Sequence, residues 1–311
     1  MLTSHCSTIR TSVSGLLGRL LAVAALILPA LAMPQPALAW CRSTTCKGSA
    51  CQTDDKGCPS SGKGLGWSGG CIGYSLEAAG SRMIDKEELR AAVRKSFQTW
   101  SQIKCPGGGY ASITFAELPE TPCDSSGYVA DGPNVNAVIL QDDDWKFKED
   151  NNVAKTSVHF DSATGEIVDA DLEINTAVNL FSTNSQQLAG DRYLDLQSVI
   201  THEVGHMLGL SHSDRVDSVM FALYKGPLKG RKLTRDDQEA LCKIYPPDRP
   251  TVCNPTPRGG LSDCSQASDS AMCQTSQRSE PGPWWLLAGG AAAITAVGGR
   301  RGRSARTRRN P

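Results

Sequence analysis

The sequence predicts a single α+β core of about 180 residues, long enough to fold on its own. Three observations carry this. Two long segments repeat apolar residues at helical spacing. Short β-branched runs lie between them. A third helix opens under an acidic first turn and stops at paired prolines.

In chain order, Ile72-Gly73-Tyr74-Ser75-Leu76 reads as a strand. Ile84 to Ile103 reads as an amphipathic helix, because Leu89, Val93, Phe97 and Trp100 recur on one face. Ser112 to Phe115 and Ala137 to Leu140 are strand-like. Val168 to Asn175 alternates Val168, Ala170, Leu172 and Ile174 with polar residues, the pattern of a half-buried strand. A second helix spans about Leu194 to Leu210. The last opens at Thr234, with Asp236, Asp237 and Glu239 where negative charge meets the helix N-terminus, and closes on Tyr245-Pro246-Pro247. No internal repeat is present.

The flanks differ in composition. Residues 1–39 carry Arg10 and Arg19, an apolar run from Leu20 to Ala32 and Ala37-Leu38-Ala39, the layout of a cleaved secretory signal. Residues 40–66 are dense in Cys, Ser, Gly and Lys and read as a disulfide-stapled N-terminal extension. Residues 67–247 hold the continuous pattern. Residues 248–283 are rich in Pro, Ser, Gln and Cys and read as a tether. In 284–311, an uncharged run from Trp284 to Gly299 precedes six arginines, which predicts a short transmembrane or sorting segment.

Removing the ends changes the charge. The whole chain is formally neutral, yet residues 40–273 hold 23 basic and 31 acidic side chains, a net of −8. Such an acidic body gives no support for nucleic-acid binding. Without Cys6 of the signal, eleven cysteines remain (41, 46, 51, 58, 71, 105, 123, 242, 253, 264 and 273), which implies disulfides in an exported protein. The pairing is not legible from spacing, and the odd number predicts one cysteine outside the set.

The chemistry concentrates in one stretch. Three of the five histidines, His202, His206 and His212, fall within eleven residues. His202 and His206 are four apart and share a helix face. Gly209 lets the helix end sharply so that His212 can return as a third ligand. Three protein ligands leave a fourth tetrahedral position for water, the pattern of a catalytic zinc. Glu203, beside them, can take a proton from that water and hand it to a leaving amine. Two solvent histidines over a buried carboxylate are the bland alternative. A surface peptide-binding module lacking catalysis is the functional one.

The order His-Glu-x-x-His-x-x-Gly-x-x-His resembles the metzincin peptidases, whose second signature is a methionine turn beneath the metal. Ser218-Val219-Met220 is similar to that turn, and Ser213, Phe221, Tyr224 and the closing helix resemble the matrixin branch. The resemblance implies a twisted mixed sheet of about five strands with three helices. It also implies zinc-dependent endopeptidase activity on protein or peptide, and a substrate pocket lined by Phe221 and Tyr224. Only His159 lies outside the motif in the mature chain, so one zinc ion is expected, with His159 a plain strand residue. Calcium is a further candidate at Asp142-Asp143-Asp144 or at Asp169, Asp171 and Glu173, since it favours clustered oxygens. The C-terminal segment resembles myxobacterial sorting tails, in which Cys264 or Cys273 would be the matching cysteine. Together these features predict export to the cell surface or beyond, with the membrane a partner until the tail is processed.

Overall fold

The computed structural model describes residues 39–264 apart from Ser49, residues 148–151 and Asp191. Residues 1–38 of the predicted signal and the C-terminal apolar and arginine-rich segment lie outside the described residues, as does Cys273.

Nine strands and three α-helices follow one another: β1 (Cys41–Arg42), β2 (Cys71–Leu76), α1 (Lys86–Ser101), β3 (Thr114–Glu117), β4 (Ala137–Leu140), β5 (Ala154–Phe160), β6 (Ile167–Ile174), β7 (Phe181–Ser182), β8 (Leu194–Asp195), α2 (Leu196–Met207), β9 (Leu210–Ser211) and α3 (Arg235–Ile244). The main sheet has five strands in the order β3-β2-β4-β6-β5. Its pairings are parallel except at the β5 edge, which runs antiparallel to β6. The α+β architecture, mixed five-strand sheet and three helices are those expected.

Helix α1 forms where the apolar period lies. Asp85 caps it by accepting the Glu87 and Glu88 amides. Leu89, Ala92, Val93, Ser96, Phe97 and Trp100 form its buried stripe. Phe97 stacks on Tyr74 of β2 at 3.7 Å between centroids, so the stripe faces the sheet. Burying each large side chain contributes about 1.5–3 kcal/mol. Polar groups fix its register on α2: Trp100 Nε1 donates to the Thr201 carbonyl at 2.8 Å, and Ser96 Oγ to that of Gln197 at 3.1 Å.

Strand β6 is buried on both faces along all eight residues, not half-buried as its alternation predicts. The polar face carries Asp169, Asp171 and Glu173. It is covered by the chain between β3 and β5, with the Ala137 and Gly127 amides donating to Asp171 and Gln141 donating to Glu173. Of strand β5 only His159 was expected in a strand, although Ala154, Thr156, Val158 and Phe160 alternate there with Lys155, Ser157 and His159.

Five disulfides tie the described chain: Cys41–Cys58, Cys46–Cys51, Cys71–Cys253, Cys105–Cys242 and Cys123–Cys264. The N-terminal extension is stapled, as its composition implied, but it also joins the body through β1, which pairs with β9. Residues 248–264, read as the start of a tether, are pinned to β2 and to the loop after β3. Cys264 is thereby bonded to Cys123, so it is not free to serve as the cysteine of a sorting tail. Among the described residues, no helix is long and apolar enough to cross a membrane.

Candidate metal centre

Helix α2 starts after Asp195, whose buried carboxylate pairs with Arg231 Nη2 at 2.6 Å and accepts Ser198 Oγ and the Leu228 amide. His202 and His206 project from one face of its last two turns. Past Leu208 the backbone reverses at Gly209, with φ +87°, a conformation that favours glycine. A Cβ there would also lie 2.7 Å from the Leu65 carbonyl oxygen. Strand β9 then leads to His212, braced from behind by β1: Cys41 pairs with Ser211, Arg42 with Leu210, and the Ser43 amide donates to Gly209.

The result is a convergence. Ligand nitrogens of His202, His206 and His212 all lie within 4.8 Å of one another. Among the described residues, this is the group of three or more such side chains that meets at one point. His202 Nδ1 is held by the Val219 carbonyl at 2.7 Å and His206 Nδ1 by that of Leu210 at 2.9 Å. Donation from Nδ1 leaves each Nε2 with a free lone pair. Burial pushes the His202 and His212 imidazoles down to about 4, and His206 is lowered for the same reason, so all are neutral ligands near pH 7. Three neutral, pre-aimed imidazoles fit a zinc ion.

Glu203 is buried beside them, and Oε2 accepts Thr156 Oγ1 at 2.6 Å. Burial raises its pKa, opposed only in part by the neighbouring His206 ring and the Thr156 hydrogen bond. Met220 lies under the helix: a Cβ on Gly205 would meet the Met220 sulfur at 2.2 Å. Asp237 shapes that turn by accepting Ser218 Oγ and the Val219 and Met220 amides, along with the amide and hydroxyl of Thr234. Its neighbour Asp236 accepts Ser213 Oγ and the Ala39 amide. The sequence marks both aspartates only as a favourable helix start, and nothing in it singles out Thr156.

Phe221 pairs with Ser213 beside the third histidine. Tyr224 is partly exposed, and its hydroxyl accepts the Asp195 amide at 2.8 Å, which ties the following loop to the start of α2. His159 sits on β5, stacked on Tyr128, with Nδ1 3.4 Å from Asp169. Asp142 and Asp143 pair with Arg82. Asp169 and Glu173 retain oxygens without a hydrogen-bond partner, at Asp169 Oδ1 and Oδ2 and at Glu173 Oε2, whereas both oxygens of Asp171 accept backbone amides.

An α+β frame carrying three convergent histidines, an adjacent glutamate and a methionine turn defines a metzincin. The chain matches the matrixin family over residues 66–246 and belongs to it. It is similar to Metalloendoproteinase 1-MMP of Arabidopsis thaliana, 29% identical over 193 residues that cover 60% of this chain and 44% of that protein. Matrix metalloproteinase-23 of Rattus norvegicus is 25% identical over 224 residues, 68% of this chain and 51% of that one. Matrix metalloproteinase-16 of Homo sapiens is 26% identical over 197 residues, 62% and 30% respectively. The chain thus spans about half or less of these relatives. The family is one of zinc-dependent metallopeptidases, which act on protein or peptide.

Proposed function

We propose that this chain is an exported endopeptidase in which His202, His206 and His212 hold one zinc ion and Glu203 is the catalytic residue. The observation that carries the reading is the convergence of three neutral imidazoles, two of them locked through Nδ1, next to a buried carboxylate. A zinc ion bound there would supply a polarising charge for the substrate carbonyl and lower the pKa of a water. Glu203 takes a proton from that water and returns it to the leaving amine. Met220 supports the floor of the site.

The free edge of β5 suits an extended substrate, because its outer backbone groups have no strand partner in the sheet. Phe221 and Tyr224 would line the pocket for the side chain after the cut bond. Five disulfides favour an oxidising compartment, in keeping with the signal-like first 39 residues. The C-terminal segment would hold the protein at the cell surface for a time. Casein and gelatin cleavage by the zinc-loaded protein and its Glu203→Ala form tests the catalytic reading. Loss of cleavage in the variant is expected. Equal activity in both would reject it in favour of a peptide-binding module.

A further inference from the structure

Strand β5 contributes more to the site than a rim. Along it Ala154, Thr156, Val158 and Phe160 share one face while Lys155, Ser157 and His159 share the other. Thr156, paired in register with Leu172, places its hydroxyl against α2. Thr156 Oγ1 lies 2.6 Å from Glu203 Oε2 and 3.1 Å from the Glu203 backbone carbonyl. The single hydroxyl proton therefore points into a fork made by the side chain and backbone of one residue. No other donor to the Glu203 carboxylate is present among the described residues.

A glutamate has three side-chain torsions, and only some rotamers put an oxygen within reach of a water at the histidine cluster. Anchoring one carboxylate oxygen to a rigid strand removes most of that freedom and leaves the other oxygen to accept a proton. We propose that Thr156 is a positioning residue: its hydroxyl fixes Oε2 of Glu203 and so aims Oε1 at the reacting water. The proposal rests on Glu203 acting as the base. Threonine suits the role because its branched Cβ is stiff in a strand, so the hydroxyl is held rather than searching.

Thr156→Val keeps the shape and strand preference and deletes only the hydroxyl, while Thr156→Ser keeps the hydroxyl. The test uses the full secreted protein and an internally quenched peptide built on a bond cut in casein. Thr156→Val is expected to lower kcat roughly 10- to 100-fold with KM within about twofold, the cost of a misplaced catalytic group. Thr156→Ser is expected to stay within about threefold of the parent. Added to Glu203→Gln, the valine change should cost nothing more.

A second readout needs no substrate. With cobalt(II) loaded at the histidines, Thr156→Val and Glu203→Gln should shift the visible bands in the same direction, and Thr156→Ser should not. The proposal is overturned if Thr156→Val matches the parent in kcat and cobalt spectrum. It is also overturned if the serine form is as impaired as the valine form, which would mean packing alone. Full activity in Glu203→Gln would instead remove the base assignment beneath it.

Discussion

Gly205 and Met220 are packed so closely that the hydrogen on Gly205 is all the room the sulfur leaves: a Cβ would sit 2.2 Å from it and 3.1 Å from the Trp100 ring. The glycine inside the histidine motif is thus a steric requirement of the methionine turn. Gly205→Ala should destabilise the protein by about 1–3 kcal/mol, as overpacking does in well-filled cores. Thermal unfolding checks this. In a Met220→Ala background the same change should cost much less, since the two residues share one space.

Arg231→Ala should cost about 3–5 kcal/mol, because it strands the fully buried Asp195 carboxylate. Urea denaturation reads the loss. The loop carrying Tyr224 should become protease-sensitive with it, since that tyrosine hangs from the Asp195 amide. A midpoint shift near zero would show that Ser198 and Leu228 suffice to satisfy Asp195.

Acid should act on the histidines late. His202 and His212 titrate at about 4 when folded, through burial, against 6.5 for an ordinary imidazole. A depressed pKa means the unfolded chain binds protons first. The stabilising contribution is full above pH 6.5 and fades as pH falls towards 4 in the metal-free protein. Zinc content after dialysis across this range should accordingly stay high below pH 6, where exposed histidines would already be charged. Release centred near pH 6.5 would contradict it.

Asp171 has the opposite sign. Burial, then the neighbouring Asp169 charge, pushes its carboxyl up to about 8, so the folded protein holds a proton the unfolded chain releases near 3.8. Its contribution favours the fold at low pH and is lost as pH rises from about 4 to about 8. Asp171→Asn should flatten that part of the stability profile relative to the parent, measured as the difference in unfolding midpoint at pH 5 and pH 8. Identical pH dependence in the two proteins would refute the assignment.

The convergence of the three histidines was legible because its parts are close in sequence: His202 to Met220 is the end of one helix, a short strand and the loop after it, and helical spacing alone brings His202 and His206 together. The first helix was legible through Leu89, Val93, Phe97 and Trp100, whose burial follows their period. What lay hidden depends on distant chain. Strand β5 rests its alternation on only three apolar residues, Ala154, Val158 and Phe160, set among Lys155, Thr156, Ser157 and His159, so the period is too short to stand out from the loops beside it. The covering of Asp169, Asp171 and Glu173 comes from a loop whose own sequence shows no periodicity. Asp237 looked like a helix-start charge because its second task, shaping the turn at Met220, is visible only once α3 meets that turn.

Three bridges, at Cys71–Cys253, Cys105–Cys242 and Cys123–Cys264, close loops of more than a hundred residues around the domain. Two of their cysteines lie beyond residue 246, where the family likeness stops. An expression plasmid trimmed to that likeness would therefore secrete a domain with Cys71 and Cys123 orphaned, open to mispairing in the very compartment that builds the other bonds. The shortest version that can close its own covalent frame runs through Cys264, eighteen residues further than homology alone would draw it.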